Sequence, residues 1–150
     1  MPVYKYCLKL TLNREDAADI TQETMARAVE KIKLYDENKA SFCTWLITIA
    51  KNTWLTAIKR KKRFESYCSR LAVPEDYDNP IDDLLKNDDL IQAVNRLSPK
   101  LKAPVVLKYN FDYSYEAIAK TLGIPVGTVK SRISNAVKSI EKELERYGQG

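Results

Sequence analysis

The chain contains no histidine, only four glycines and only three cysteines among its 150 residues. Without an imidazole, Ser/His and Cys/His nucleophilic sites cannot be built. Cys7, Cys43 and Cys68 are odd in number, widely spaced and without the paired spacing of a zinc site, so they read as reduced thiols. The sequence shows no glycine-rich phosphate loop and no carboxylate cluster of the type that metal-dependent nucleases use. No apolar run reaches the length of a membrane span, and Met1-Pro2 opens no charged-then-apolar signal peptide. These absences predict a cytoplasmic, non-enzymatic protein with neither cofactor nor metal.

What the chain does have is positive charge, unevenly placed. The formal charge is +5 and the pI about 9.0. Residues 71–89 hold seven acids (Glu75, Asp76, Asp78, Asp82, Asp83, Asp88, Asp89) against the single base Lys86, while outside this window 24 bases face 13 acids. Two basic modules flank an acidic strap, a distribution suited to binding phosphates through counterion release. A solvated loop in an ordinary basic protein fits the charge alone equally well.

No segment shows the alternation of a half-buried strand, so the expected fold is all-α. Helices are expected over Val3–Leu12 with a break at Asn13, from Asp16 to about Lys33, from Phe42 to about Tyr67, over Asp88–Arg96, and from Pro99 to about Asn110. Two small helical domains, 1–68 and 88–150, are expected to be joined by an acidic flexible linker over 69–87.

The stretch Asp112 to Arg132 predicts a helix-turn-helix. Ser114 suits an N-cap and Glu116 the positive end of the helix dipole; Gly123 can take the left-handed conformation that ends a helix, and Pro125 presets the first turn of the next. From Thr128 to Leu144, Val129, Ile133, Ala136, Val137, Ile140 and Leu144 share one face. The opposite face carries Lys130, Ser131, Ser134, Asn135 and Lys138, cations and small polar groups able to reach phosphates and base edges.

On the helix from Phe42, the residues Phe42, Trp45, Leu46, Ile49, Ala50 and Thr53 share a face expected to pack on Ala17, Ile20, Met25, Ala28, Val29 and Ile32 of the preceding helix. A separate sector carries Thr48, Lys51, Asn52, Leu55, Lys59 and Lys62 and runs into five successive cations, Lys59-Arg60-Lys61-Lys62-Arg63. This is a candidate phosphate clamp, with Asn52 able to read a base edge. Trp54 is open between core and base stacking. Asp19, Gln22, Glu23, Arg27 and Glu30 form a polar face that either meets water or docks a partner.

In order along the chain, these pieces resemble an extracytoplasmic-function sigma factor, the small two-domain class of bacterial RNA polymerase specificity subunits. Asn13-Arg-Glu-Asp-Ala-Ala-Asp-Ile-Thr-Gln-Glu-Thr-Met-Ala-Arg-Ala28 is similar to the family segment that grips the polymerase clamp helices. Phe42-Cys-Thr-Trp-Leu-Ile-Thr-Ile-Ala-Lys-Asn52 with Lys59–Arg63 is similar to the segment that opens and reads the −10 element. Leu97-Ser-Pro99, Tyr113–Ala119 and Gly123–Arg132 are similar to the −35-binding domain.

The resemblance implies clamp contacts at Asp19, Gln22 and Glu23. It implies −10 contacts at Lys51, Asn52, Lys59, Arg60, Lys62 and Arg63, with the loop Asp36 to Ser41 and Asn52 forming a pocket for an unstacked base. It implies −35 contacts at Thr128, Lys130, Ser131, Arg132, Ser134, Asn135 and Lys138. The implied partners are core RNA polymerase, through its clamp helices and flap, and promoter DNA; the family also admits an anti-sigma factor. The strap would thread a basic polymerase channel built for RNA, although a soluble spacer fits its composition as well. Two features depart from the usual family pattern: the first helix is short, and Asn135 stands where members often carry Arg. A stand-alone regulator using only the helix-turn-helix is the leading alternative, and a nucleic-acid-processing enzyme the remote one.

Overall fold

The computed structural model describes residues 1–70 and 88–148, the side chains of residues 68–70 excepted. Apart from the backbone of its first two residues, the acidic linker expected over 69–87 therefore lies outside the described residues. Seven α-helices and a short 3-10 turn make up the described chain: α1 (Pro2–Thr11), α2 (Arg14–Glu30), the turn Ile32–Leu34, α3 (Phe42–Arg70), α4 (Asp89–Asn95), α5 (Pro99–Asn110), α6 (Tyr115–Leu122) and α7 (Val126–Gly148).

Local chemistry sets the boundaries. Helix α1 starts on Pro2, whose fixed φ suits a first turn, and ends where Leu12 turns left-handed at φ 52°. A left-handed leucine costs about 1–2 kcal/mol. Burial of its side chain, 5% exposed, offsets this. Asn13 then caps α2, its side-chain oxygen accepting from the Asp16 amide at 3.0 Å. That cap starts α2 two residues before Asp16. The helix ends at Glu30 rather than near Lys33, because the chain tightens into the 3-10 turn, where the Leu34 amide donates to the Lys31 carbonyl.

Helix α3 opens under Ser41, whose hydroxyl accepts from the Thr44 amide at 3.2 Å. Asp88 caps α4 by accepting from the amides of Leu90 and Ile91. Pro99 opens α5, and the helix runs on through a second proline, Pro104, which leaves the Lys100 carbonyl without its intrahelical donor.

The helix-turn-helix follows the expected punctuation with one adjustment. Ser114 accepts from the Ala117 amide at 3.1 Å, and Gly123 sits at φ 67°. Pro125 lies just outside α7 rather than in its first turn: the helix begins at Val126, and the Pro125 carbonyl accepts from the Val129 amide at 3.1 Å. A Cβ placed on Gly123 would meet nothing within 4 Å, so Gly123→Ala pays only for its left-handed backbone. Chemical denaturation is expected to show a loss of about 1 kcal/mol with an unchanged fold.

The buried side chains of the two halves form one contiguous cluster. Val3, Tyr6, Leu10, Leu46, Ile47 and Trp54 from the first half join Leu97, Val106, Leu107, Ile118, Val129 and Ile133 from the second. Helix α1 packs on α5, and α3 on α6. The faces expected to be apolar are only partly covered. Leu46, Ile49, Ala50 and Thr53 are buried, but Phe42 is 47% exposed, Ile32 48% and Val29 75%. The last two lie at the C-terminal end of α2 and in the 3-10 turn, where the chain turns away from its packed partners. Thr24 takes the buried place between Ile20 and Ala28, its hydroxyl satisfied by the Ile20 carbonyl at 2.7 Å. Trp54, 4% exposed, belongs to the core.

Candidate nucleic-acid interface

The face of α7 offered for base reading is open. Lys130, Ser131, Ser134, Asn135 and Lys138 are exposed, Thr128 and Arg132 half-buried. On the inner side Val129, Ile133 and Ala136 are buried, which fixes the rotation of the helix and so the direction of the reading face. Tyr115 at the start of α6 carries two cations over its ring: Lys108 at 4.6 Å from the centroid and Lys130 at 5.8 Å. The tyrosine thus restrains Lys130 at the edge of the reading face.

On α3 the cationic run is fully presented. Lys59, Arg60, Lys61, Lys62 and Arg63 are all exposed, and so is Asn52. Lys51 is half-buried, and desolvation, with the Arg132 cation as a lesser cause, holds its pKa below the ordinary lysine value. Helix α3 and the helix-turn-helix are joined where the Thr48 hydroxyl donates to the Thr121 carbonyl at 3.3 Å, and Lys51 and Arg132 are near enough for their charges to oppose each other.

The loop Asp36 to Ser41 is internally tied. Asp36 accepts from the Asn38 amide at 2.9 Å, and the Tyr35 hydroxyl donates to the Ala40 carbonyl at 3.0 Å. Beside it stands an aromatic cluster that periodicity had assigned in part to the core: Tyr35 and Phe42 edge to face at 5.4 Å, Tyr35 and Trp45 at 5.2 Å, Phe42 and Trp45 at 5.7 Å. The signal in the sequence was three aromatics flanking a polar loop. Asn52 lies ten residues along α3 from Phe42, about 15 Å along the axis. The loop before Phe42 and Asn52 are therefore set apart along α3.

Of the polar residues on α2, Asp19 and Gln22 are exposed and Glu23 is half-buried. Glu23 accepts from Arg27 at 2.8 Å and lies 3.9 Å from Arg60 of the cationic run. Asp19 and Glu23 border an open groove of about 550 Å³ that Lys61, Lys62 and Glu65 of α3 and Lys102 of α5 also line.

Lys102, unremarked in the sequence, is the one buried cation among the described residues. Its ammonium donates to the Leu10 carbonyl at 2.9 Å and to Asn95 Oδ1 at 3.0 Å, and burial lowers its pKa to about 8. The titratable groups sharing its groove are Asp16, Asp19, Glu23, Lys61, Lys62 and Glu65. A lysine depressed on folding binds fewer protons in the native than in the unfolded chain between about pH 8 and its ordinary value near 10.4, so it contributes rising stability across that interval. The stability difference between wild type and Lys102→Met is expected to shift in favour of wild type as pH rises from 8 to 10, which cancels the opposing titration of buried Tyr6 and Cys7 common to both. Urea denaturation of the pair at each pH checks it.

Among the described residues no group of His, Cys, Asp or Glu could hold a metal ion, and no helix is long and apolar enough to cross a membrane.

Residues 2–64 match the sigma-70 region 2 family and residues 87–140 the sigma-70 region 4 family. Over 97% of its length the chain is 34% identical to the ECF RNA polymerase sigma factor SigE of Mycolicibacterium smegmatis, of which it spans 58%. Over 95% of its length it is 32% identical to the ECF RNA polymerase sigma factor SigW of Bacillus subtilis, of which it spans 82%. The crystal structure of the sigma factor RpoE in complex with the anti-sigma factor NepR from Bartonella quintana shares the fold, with a TM-score of 0.75 over 95% of this chain and 89% of that one at 23% identity.

Proposed function

We propose, since the chain belongs to the ECF sigma factors of the sigma-70 family, that it binds core RNA polymerase and directs promoter-specific initiation, with no catalysis of its own. The observation that carries this reading is the pairing, in one chain, of an open helix-turn-helix reading face on α7 with a helix, α3, that combines an exposed five-cation run, an exposed Asn52 and an aromatic cluster.

Each surface then has a physical role. Lys130, Ser131, Arg132, Ser134, Asn135 and Lys138, with Thr128, enter the major groove at the −35 element. Lys59–Arg63 hold phosphates and set position and salt dependence without reading sequence. The loop Asp36 to Ser41 and the aromatics beside it receive a base taken from the stack, while Lys51 and Asn52 act further along the strand. Unstacking costs a few kcal/mol, and aromatic stacking returns about 1–3 kcal/mol per base, so recognition and opening are coupled. Asp19, Gln22 and Glu23 face the polymerase clamp, and an anti-sigma factor would compete for such surfaces. Domains 1–68 and 88–150 divide this work.

The test is a gel-shift series on a promoter library with and without core polymerase. Sequence-selective complexes are expected only when core is present; selective binding by the chain alone at −35-like sites would favour a stand-alone regulator. In the same series Asn135→Arg is expected to move the preferred base from adenine toward guanine at one −35 position, by about 1–3 kcal/mol of discrimination. An unchanged preference would remove Asn135 from the reading face.

A further inference from the structure

We propose that Glu23 is a charge gate on the cationic run: in the free chain its carboxylate holds Arg60 back from phosphates, and a cationic partner that takes Glu23 releases Arg60 for the strand. Resting on the strand-binding role proposed above for Lys59–Arg63, the gate is built from four side chains of α2 and α3. Thr53, 1% exposed, anchors the set: its hydroxyl donates to the Ile49 carbonyl at 2.8 Å and accepts from Arg27 Nη1 at 3.4 Å. Arg27 Nη2 donates to Glu23 Oε1 at 2.8 Å, one turn back along α2. The same oxygen lies 3.9 Å from Arg60 Nη1.

Arg27 is therefore a positioning residue. A glutamate on an open helix surface samples several rotamers, whereas here two hydrogen bonds running back to a buried threonine hold Glu23 where it also meets α3. Its side chain is still 39% exposed, and that of Arg60 67%, so a partner can reach the first and a phosphate the second.

Two guanidinium groups already face one carboxylate oxygen, so a third cation, brought by a partner docking on Asp19, Gln22 and Glu23, must compete for it. The looser pair yields first. Arg60 at 3.9 Å is beyond hydrogen-bond reach, while Arg27 at 2.8 Å is within it, so docking frees the α3 arginine and leaves the α2 arginine in place. Because an exposed ion pair is weak, its release shifts strand affinity by about two- to fivefold and no more. The coupling is reciprocal, so a bound strand strengthens the docking of the partner by the same factor.

A double-mutant cycle on the full chain, read by fluorescence anisotropy with two labelled single strands, one carrying a −10 element and one of random sequence, tests the gate. Glu23→Gln keeps an acceptor for Arg27 and removes the charge. Without core polymerase it is expected to bind both strands about two- to fivefold more tightly than wild type at low salt, with the gain shrinking as salt rises. In an Arg60→Gln background the same change should give no gain. Glu30→Gln, an equal change of charge seven residues along α2 and roughly 10 Å away, should give none either. Saturating core should erase the advantage of Glu23→Gln, since the gate is then open in wild type as well. Circular dichroism checks that each variant is folded. No gain, a gain that survives Arg60→Gln or core, or one matched by Glu30→Gln overturns the gate. If the gain depends on Arg60 while neither strand is preferred even with core present, the gate stands and the promoter reading is what fails.

Discussion

Replacing Lys59, Arg60, Lys61, Lys62 and Arg63 together by glutamine is expected to lower the affinity of the core-bound protein for promoter DNA by about a hundredfold or more at physiological salt. All five cations are exposed, and Arg60 lies 3.9 Å from the Glu23 carboxylate. The run is thus free to exchange solvent for phosphates. Each phosphate contact contributes about 0.7 to the salt slope on single strands, so the slope should fall by roughly three to four. Glutamine keeps a good helix propensity, which separates lost charge from a lost helix. Fluorescence anisotropy across a salt series reads both numbers. An unchanged slope would mean that the run is only a solvated helix end, its charges complementing the dipole of α3.

The second large effect separates two aromatics on the same helix. Trp54→Ala is expected to cost about 3–5 kcal/mol of stability, because Trp54 is 4% exposed and sits in the shared core. Phe42→Ala should cost far less, since 47% of Phe42 is exposed, yet weaken capture of the unstacked −10 strand by about 1–3 kcal/mol. Thermal denaturation and strand binding, measured on both variants, are expected to show opposite rankings. Equal losses of stability would return Phe42 to the core and remove the aromatic cluster from the opening step.

These two residues also show how much of the molecule its sequence carries. Punctuation was legible: Ser114, Gly123, Asn13 and Pro99 act through backbone chemistry within a few residues, and the helices start or stop at or beside them. The exposed face of α7 was legible as well, because its buried set fixes its outer face by geometry. Partnership was not. Periodicity places Phe42, Val29 and Ile32 on apolar faces, but it carries no information on where the opposing helix ends, and there those side chains remain exposed. Lys102 sits in the otherwise apolar run from Leu101 to Leu107, and only the opposing α1 carbonyl of Leu10 explains how a cation can be buried there. The seam as a whole joins residues far apart in sequence, such as Thr44 with Tyr113 and Thr48 with Thr121, and no local pattern announces it.

The central claim is that this chain supplies promoter choice to RNA polymerase, and run-off transcription measures that most directly. Core polymerase alone should start at no preferred site on a promoter library; with the purified chain added, transcripts should begin at defined positions downstream of paired −35 and −10 sequences, and disappear when Lys130 and Asn135 are both changed to alanine. Transcripts with the same start sites in the presence and absence of the chain would contradict the account.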